Sequence, residues 1–178
     1  MKKILFSLFA LMAVMTVHAQ SIYGTWQKME PEVMTMDDGT YLAFNPIFTF
    51  NEDGTLFSIV DLTYSSEPAQ TKEMEVALMV RMNGCYMLED NQLEMAMDRN
   101  TLKVEFVSLS LNGKVVKDPE MEARFKEVFR DEALKASFDD ASLSGDYTIS
   151  LRNNGSMLDL IDADGNAMTM MRIATIRK

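Results

Sequence analysis

The sequence has 178 residues, of which 27 are acidic and 17 are basic, and its formal net charge at pH 7 is −10. This length is enough for one domain with a sizeable hydrophobic core, while the negative charge repels phosphates and anionic lipid surfaces and so excludes nucleic acid and membranes as main partners. The single cysteine, Cys85, excludes an internal disulfide, and we expect its thiol to be buried as a small apolar group rather than exposed and reactive.

Residues 1–19 match a secretory signal peptide. Two lysines precede an apolar run over residues 4–17, and Val17-His18-Ala19 places small residues at the −3 and −1 positions of a cleavage site. The run is short for a membrane span, so a retained anchor is the alternative and stable membrane insertion is not expected. We therefore expect export to the periplasm or the extracellular space, with residues 20–178 forming one domain.

Removal of the signal peptide would leave 15 basic and 27 acidic residues, a net charge of −12, and no histidine, because His18 lies within it. This excludes Ser-His-Asp and Cys-His nucleophilic sites and zinc sites that need histidine. Carboxylates remain close together near two predicted turns: Asp37 and Asp38, and then Asp159, Asp162 and Asp164. Because aspartate favours turns, we interpret these as solvated turn residues rather than a glycosidase acid pair or a calcium loop, and we predict no enzyme activity, metal or cofactor.

Short alternating strands joined by tight turns fill the first part of the mature chain. The first strand surrounds Trp26 and ends at Glu30-Pro31, because proline cannot donate a hydrogen bond to a ladder. Phe48 and Phe50 then share one face of a strand. Asn51-Glu52-Asp53-Gly54 predicts a hairpin after it, because glycine readily adopts a positive φ.

The next segment alternates cleanly, with interruptions. Five apolar residues occupy one face of the strand over residues 73–82: Met74, Val76, Leu78, Val80 and Met82. Asn83-Gly84 interrupts the pattern and predicts a bulge or bend, and Arg99-Asn100 predicts a turn between two strands. From Val107 the apolar phase slips by one residue, so we predict a bulge near Phe106-Val107.

A helix is predicted over residues 119–136, followed by two hairpins. Asp118-Pro119 combines an N-cap acid with proline at the first helical position. One face of this helix carries an apolar stripe, which we expect to dock on the sheet rather than on a partner: Met121, Phe125, Val128 and Phe129. The hairpins turn at Asn153-Asn154-Gly155 and at residues 162–165.

About eight to nine strands with one added helix predict an all-β fold, and the meander over residues 48–111 favours an up-and-down antiparallel barrel. The order of the segments resembles the lipocalin-like group of the calycin superfamily, including exported bacterial β-barrel domains. The residues that carry this resemblance are Gly24-Thr25-Trp26, Phe48-Thr49-Phe50 with Asp53-Gly54-Thr55, Gly84-Cys85-Tyr86, and Arg172. In that family a first-strand tryptophan closes the barrel and an arginine of the last strand packs on it. The resemblance gives these roles to Trp26 and Arg172, with Arg177 as the alternative.

Fourteen of the 17 methionines follow the signal segment, and many fall on inward faces. Because methionine adapts to irregular spaces, this predicts an apolar cavity for a small hydrophobic ligand, with a solidly filled barrel as the alternative. The candidate ligand-contacting residues are Phe48, Phe50, Met82, Tyr86, Met95, Met97, Phe106, Tyr147 and Met170. We therefore expect an exported lipocalin-like binding protein. The alternatives are a filled interaction module of the cell envelope, whose protein partner is unknown, and a carboxylate-dependent enzyme acting on glycosides.

Overall fold

The structure is a computed structural model that describes residues 21–36, 39–65, 74–132, 135 and 143–174. The predicted signal peptide, the turn at Asp37-Asp38 and Arg177 lie outside these residues. Within the described part are ten strands and an α-helix that precedes β8, and residues 131, 132 and 135 are also helical. In chain order they are β1 (Gly24–Lys28), β2 (Glu32–Thr35), β3 (Tyr41–Phe50), β4 (Thr55–Ser65), β5 (Met74–Glu89), β6 (Gln92–Leu111), β7 (Lys114–Val116), α1 (Pro119–Val128), β8 (Ser144–Arg152), β9 (Met157–Ile161) and β10 (Ala167–Ile173).

Eight of the strands form a closed hydrogen-bonded ring. Their order is β1-β10-β9-β8-β6-β5-β4-β3, and β1 closes the ring by pairing with β3. Every pairing in the ring is antiparallel, and most neighbours in the ring are neighbours in sequence, because tight hairpin turns join antiparallel strands. The predicted all-β antiparallel fold with one added helix is confirmed, and the arrangement is barrel-like.

Strands β2 and β7 lie outside the ring, paired to β3 and β6. Neither strand is predicted from the sequence. All four residues of β2 are exposed and β7 has only three residues, so neither shows the alternation of buried and exposed positions by which a strand is recognised.

The ring closes around only one half of its longest strands. β1 pairs with residues 47–50 of β3, whereas β2 pairs with residues 41–44. Of these two strands, only β1 also pairs with β10 within the described part of the chain. On the other side, β8 pairs with residues 92–96 of β6, which continues to Leu111. Strands β3 to β6 therefore extend beyond the closed ring as an open sheet.

The bulge predicted near Phe106-Val107 is confirmed. Leu78 pairs with Phe106, although uninterrupted pairing would place it opposite Val107, so Val107 is an extra residue in β6. Because one extra residue reverses the faces of all residues after it, Leu109 returns to the inner face, where it is fully buried.

The predicted turn at Arg99-Asn100 is wrong, because β6 runs without a break from Gln92 to Leu111. Regular pairing stops where Asp98 lies opposite Asn83, and resumes with four residues of β6 opposite one of β5. The Thr101 hydroxyl accepts a hydrogen bond from the N–H of Asn83 at 2.8 Å and donates one to the carbonyl of Asp98 at 2.6 Å. These bonds take the place of ladder bonds, so the chain widens into a bulge instead of turning.

Gly84 allows close approach of two strands beside this bulge. A Cβ atom at Gly84 would collide with the carbonyl oxygen of Ala96 and would lie 2.9 Å from the Sδ atom of Met97. The glycine in the strand pattern therefore marks a close backbone contact, as expected for a glycine inside a strand.

Helix α1 begins where the sequence predicts. The Asp118 side chain accepts hydrogen bonds from the N–H groups of Glu120 and Met121 at 3.0 and 3.1 Å. Pro119 occupies the first turn, where its missing N–H costs no helical hydrogen bond. Cap and proline together fix the start of the helix.

Helix α1 ends at Val128, and after a break at residues 129–130 the described residues 131, 132 and 135 are again helical, so the segment predicted as one helix to about residue 136 is interrupted. After the break, the Asp131 carboxylate accepts hydrogen bonds from the backbone N–H of Val104 at 2.8 Å and from Nζ of Lys103 at 2.9 Å. This attachment ties the residue that follows the break to β6.

The apolar stripe of α1 docks on the open sheet. The Phe129 ring centroid lies 5.8 Å from that of Tyr64 and 6.4 Å from that of Phe125. Val128 is the exception, since it is 62% exposed. The stripe residues Met121, Phe125 and Phe129 pack against a buried cluster formed by Val76, Leu78 and Leu109.

The closed half of the ring has a filled core. Most of its side chains are fully buried, as expected for a close-packed interior. The core consists of Ile22, Trp26, Phe50, Leu56, Leu93, Met95, Leu158, Leu160 and Met170.

Candidate ligand cavity

Trp26 and Arg172 cover the filled end of the ring. They are direct partners across β1 and β10. The indole is fully buried, and its Nε1 donates a hydrogen bond to the carbonyl of Ile22 at 2.6 Å. The guanidinium carbon of Arg172 lies 4.4 Å from the indole centroid. The same guanidinium donates hydrogen bonds to the carbonyls of Ser21, Tyr23 and Gly155 at 2.6, 2.7 and 2.9 Å.

Beyond the filled end, the interior contains an apolar cavity of about 360 Å³ that is partly open to solvent. Its walls are the inner faces of β2 to β6, together with β8 and the residue before β8. The lining residues are Met34, Leu42, Phe44, Phe48, Ser58, Val60, Leu62, Val80, Met82, Met95, Met97, Leu143, Ser144, Gly145 and Tyr147. The core therefore fills the closed half, and the cavity lies beside this core toward the open sheet.

Five of the nine predicted ligand-contacting residues line this cavity. They come from β3, β5, β6 and β8, which the ring brings together although they are far apart in sequence: Phe48, Met82, Met95, Met97 and Tyr147. Each lies on the inward face that strand alternation indicates.

The other four predicted residues lie elsewhere. Phe50 and Met170 belong to the filled core, with 1% and 0% exposure. Tyr86 packs against that core, and its ring centroid is 5.1 Å from that of Phe50 in an edge-on arrangement. Phe106 packs near α1, where Nζ of Lys126 lies 5.3 Å from its ring centroid.

The remaining lining residues are not among the predicted ligand contacts. Leu42 and Phe44 share the inward face of β3 with Phe48, so the period of two would have identified them. Met34 could not be found in this way, because it comes from the unpredicted strand β2. The aliphatic side chains of β4 have no chemistry that distinguishes the wall of a cavity from a filled core.

An acidic depression adjoins the cavity at the start of β8. This open depression, of about 380 Å³, shares Ser144, Gly145 and Tyr147 with the cavity. Its other walls are formed by Asp146, Asp162, Ala163 and Asp164. The start of β8 is therefore the rim at which the apolar cavity meets a negatively charged surface.

Tyr147 folds over Gly145 at this rim. A Cβ atom at Gly145 would lie 2.5 Å from Cε2 of Tyr147 and 2.6 Å from its hydroxyl oxygen, so the glycine makes room for the ring. Burial raises the pKa of Tyr147, and the negative charges of Asp162 and Asp146 raise it further. The phenol is thus a neutral hydrogen-bonding group at the cavity wall.

Asp159, considered above as part of an acid pair, belongs to the sheet rather than to the cavity. Its neighbours Leu158 and Leu160 are fully buried in the filled core, so Asp159 points to the outer face of β9. Arg152 donates two hydrogen bonds to it at 2.5 and 2.7 Å, and the Thr169 hydroxyl donates a third at 2.7 Å. The hydrogen bonds from Arg152 lower the pKa of Asp159.

Asp162 holds the turn between β9 and β10. Its carboxylate accepts hydrogen bonds from the N–H groups of Asp164 and Asn166 at 3.0 and 2.8 Å and from the Asn166 side chain at 3.0 Å. In the part of the chain that the structure describes, no three histidine, cysteine, aspartate or glutamate side chains are arranged to hold a metal ion.

The expectation that Cys85 is buried is wrong, because its thiol is exposed. Tyr86 packs against the filled core from the inner face of β5, so the preceding residue must face outward. The alternation of the strand decides the position of this thiol, against the usual preference of cysteine for the interior.

Comparison with models of known protein families and with curated proteins finds no match to this sequence. The fold and the site therefore define the class: a barrel-like all-β protein with a filled end and an apolar interior cavity. No helix among the described residues is long and apolar enough to cross a membrane.

Proposed function

We propose that the protein is an exported binding protein that holds a small hydrophobic ligand in its interior cavity. The observation that carries this proposal is the cavity of about 360 Å³ with predominantly apolar walls. Small-molecule sites typically have volumes of roughly 300–1,000 Å³. An apolar cavity of this size that opens to solvent has the usual form of a small-molecule site, which favours a binding role. Export rests on the signal-peptide pattern of residues 1–19.

The composition of the wall supports an adaptable site. Four methionines line the cavity: Met34, Met82, Met95 and Met97. Methionine side chains are unbranched and polarizable, so they adjust to apolar molecules of different shape. This favours a ligand recognised mainly by its apolar surface.

The lipocalin-like assignment is part of the same proposal. Its supports are the closed ring of eight antiparallel strands and the contact of Arg172, from the last strand of the ring, with Trp26, from the first. Helix α1 departs from the usual order of that group, because it precedes the last three strands.

Titration with the neutral apolar dye N-phenyl-1-naphthylamine tests the proposal by fluorescence. We expect saturable binding of one dye per chain. Val60→Phe and Leu62→Phe, each placing a ring in the cavity from β4, should weaken binding by about tenfold or more, because they remove space in which the dye buries its surface. Met87→Phe is the matched control, since Met87 is 51% exposed, and it should bind the dye as the wild type does.

Circular dichroism and thermal unfolding establish which variants are folded. Folded Val60→Phe and Leu62→Phe proteins that bind the dye as tightly as the wild type would contradict the proposal. The absence of saturable binding to the wild type would contradict it as well.

A further inference from the structure

We infer that the cavity selects its ligand by charge, taking an apolar molecule that ends in an amine in preference to one that ends in a carboxylate. This inference rests on the proposed function and deepens it by naming the chemical class of the ligand. Three features of the described residues support it: the lining, the state of a nearby lysine, and the charges at the rim.

The described lining residues include no cationic side chain that could neutralise an anion. The polar side chains among the described lining residues are Ser58, Ser144 and Tyr147, and none of the lining side chains is a lysine or an arginine. A carboxylate that leaves water needs a positive partner or several hydrogen-bond donors to replace its hydration. An anionic end would therefore find no positive partner among the described lining residues.

Lys28 approaches the wall, but its charge is already compensated. Its Nζ lies 5.8 Å from the ring centroid of Phe44, which lines the cavity. The same Nζ is bonded to the carboxylate of Glu32 at 2.5 Å. Lys28 does not itself line the cavity, so it is not placed to serve as the partner of a carboxylate ligand.

The depression beside the cavity, at the start of β8, is lined by acidic side chains. Asp146, Asp162 and Asp164 surround the depression that shares Tyr147 with the cavity. Hydrogen bonds from Asn166 lower the pKa of Asp162, so its carboxylate is negative at neutral pH. A ligand whose apolar body occupies the cavity would place its polar end among these carboxylates.

Tyr147 lies between the cavity and these carboxylates, because it lines both the cavity and the acidic depression. Asp162 and Asp146 add to the effect of burial in raising the pKa of Tyr147, which means that they oppose a negative charge on its oxygen. The same Coulomb interaction opposes a ligand carboxylate at that place and favours an ammonium group.

Three compounds with one tail and different ends test the inference: decylamine, decanol and decanoate, each displacing the neutral dye at pH 7 and low salt. We expect decylamine to bind about tenfold more tightly than decanoate, with decanol between them, and the ratio to fall at high salt because the rim is exposed to solvent.

Charge variants identify the source of the preference. The double variant Asp146→Asn with Asp164→Asn should reduce the ratio of decylamine to decanoate affinity to about threefold or less. The double variant Glu52→Gln with Asp90→Asn removes the same net charge from exposed turns at the filled end, and it should keep the wild-type ratio. Lys28→Met should leave decanoate affinity unchanged.

The outcomes separate the inference from the function on which it rests. If none of the three compounds displaces the dye, the proposed function fails and the inference fails with it. If decanoate binds as tightly as decylamine, or loses affinity in Lys28→Met, the charge preference is overturned while the binding function stands. A ratio unchanged by Asp146→Asn with Asp164→Asn would overturn the role of the rim.

Discussion

At the scale of single residues, Arg172 connects separate parts of the chain at the filled end of the ring. It covers Trp26 and donates hydrogen bonds to carbonyls that precede β1 and to the carbonyl of Gly155, between β8 and β9. A guanidinium can do this because its donors are fixed in a plane, whereas an ammonium has a single nitrogen. The arginine therefore joins β10 to the residues that precede β1 and to the turn between β8 and β9.

We predict that Arg172→Lys destabilises the fold by about 1–2 kcal/mol, a modest loss because the arginine is partly exposed to solvent. Urea unfolding, followed by the fluorescence of the single tryptophan, measures the change. Arg81→Lys is the control, because Arg81 makes an exposed ion pair with Glu105, and it should change stability by less than about 0.5 kcal/mol. Equal effects of the two substitutions would contradict the role given to Arg172.

The buried carboxylate of Asp159 predicts a dependence of stability on pH. Its pKa in the folded state lies below the ordinary value of 3.8 because Arg152 donates hydrogen bonds to it. A group of this kind stabilises the folded state above its unfolded pKa, and the contribution is lost as the pH falls through the folded pKa.

Asp159→Asn should therefore cost about 1 kcal/mol at pH 7, a value that allows for the half-exposed Arg152 side chain. The difference from wild type should disappear in strongly acidic solution. Urea unfolding at both pH values checks this, with the exposed Asp164→Asn as the control. A difference that stays constant with pH would show that the ion pair is not its cause.

Two residues show how far single positions can be predicted. Trp26 and Arg172 were paired from a resemblance, and they are in contact. Cys85 was predicted to be buried because cysteine is usually buried. Its neighbour Tyr86 packs against the core, and because side chains alternate along a strand, Cys85 faces solvent. Where the usual burial of a residue type and the alternation of the strand disagree, the alternation decides which face the residue occupies, because all residues of the strand share it.

At the scale of elements, β6 keeps one inner face over its whole length by means of two irregularities. The bulge at residues 99–102 shifts the inner positions by one residue, and Val107 shifts them back. Leu93 before the first irregularity, Leu102 between them and Leu109 after the second are all fully buried. The two shifts together let one long strand serve both the ring and the open sheet.

We predict that Val107 is an extra residue that β6 can lose. Without it, Ser108 takes the outward position and Leu109 stays on the inner face with its present partner, so deletion of Val107 should cost less than about 1 kcal/mol. Deletion of Glu94, at a regular position next to the buried Leu93, would reverse the faces of part of the strand and should cost about 3 kcal/mol or more. Thermal unfolding of both variants measures the contrast, and equal losses of stability would contradict the bulge assignment.

The errors at this scale have a common cause. Arg99-Asn100 has the composition of a turn, and the stripe of α1 continues in sequence beyond Val128. In both cases a contact from a distant element decides the outcome: Thr101 bonds to Asn83, and Asp131 bonds to Val104. Local sequence patterns do not reveal contacts between distant residues. They therefore predict that a helix or strand exists better than they predict where it ends.

At the scale of the whole molecule, the alternation of apolar residues predicts a closed sheet with an apolar interior. It does not predict which part of that interior is filled. The inner faces of β5 and β6 are apolar in both halves, and the cavity arises because β1 and β8 pair with only part of β3 and β6. These pairing lengths are a property of the assembled ring and not of any one strand.

The central claim is that a small apolar molecule occupies this cavity, and methionine methyl NMR tests it most directly. Protein labelled with ¹³C at the methionine methyl groups would be titrated with decanol. The account predicts saturable shifts of the Met82, Met95 and Met97 signals, while the signals of Met87 and Met171, which are 51% and 46% exposed, stay in place. Shifts confined to the exposed methionines, or absent from the three lining methionines at saturation, would contradict it.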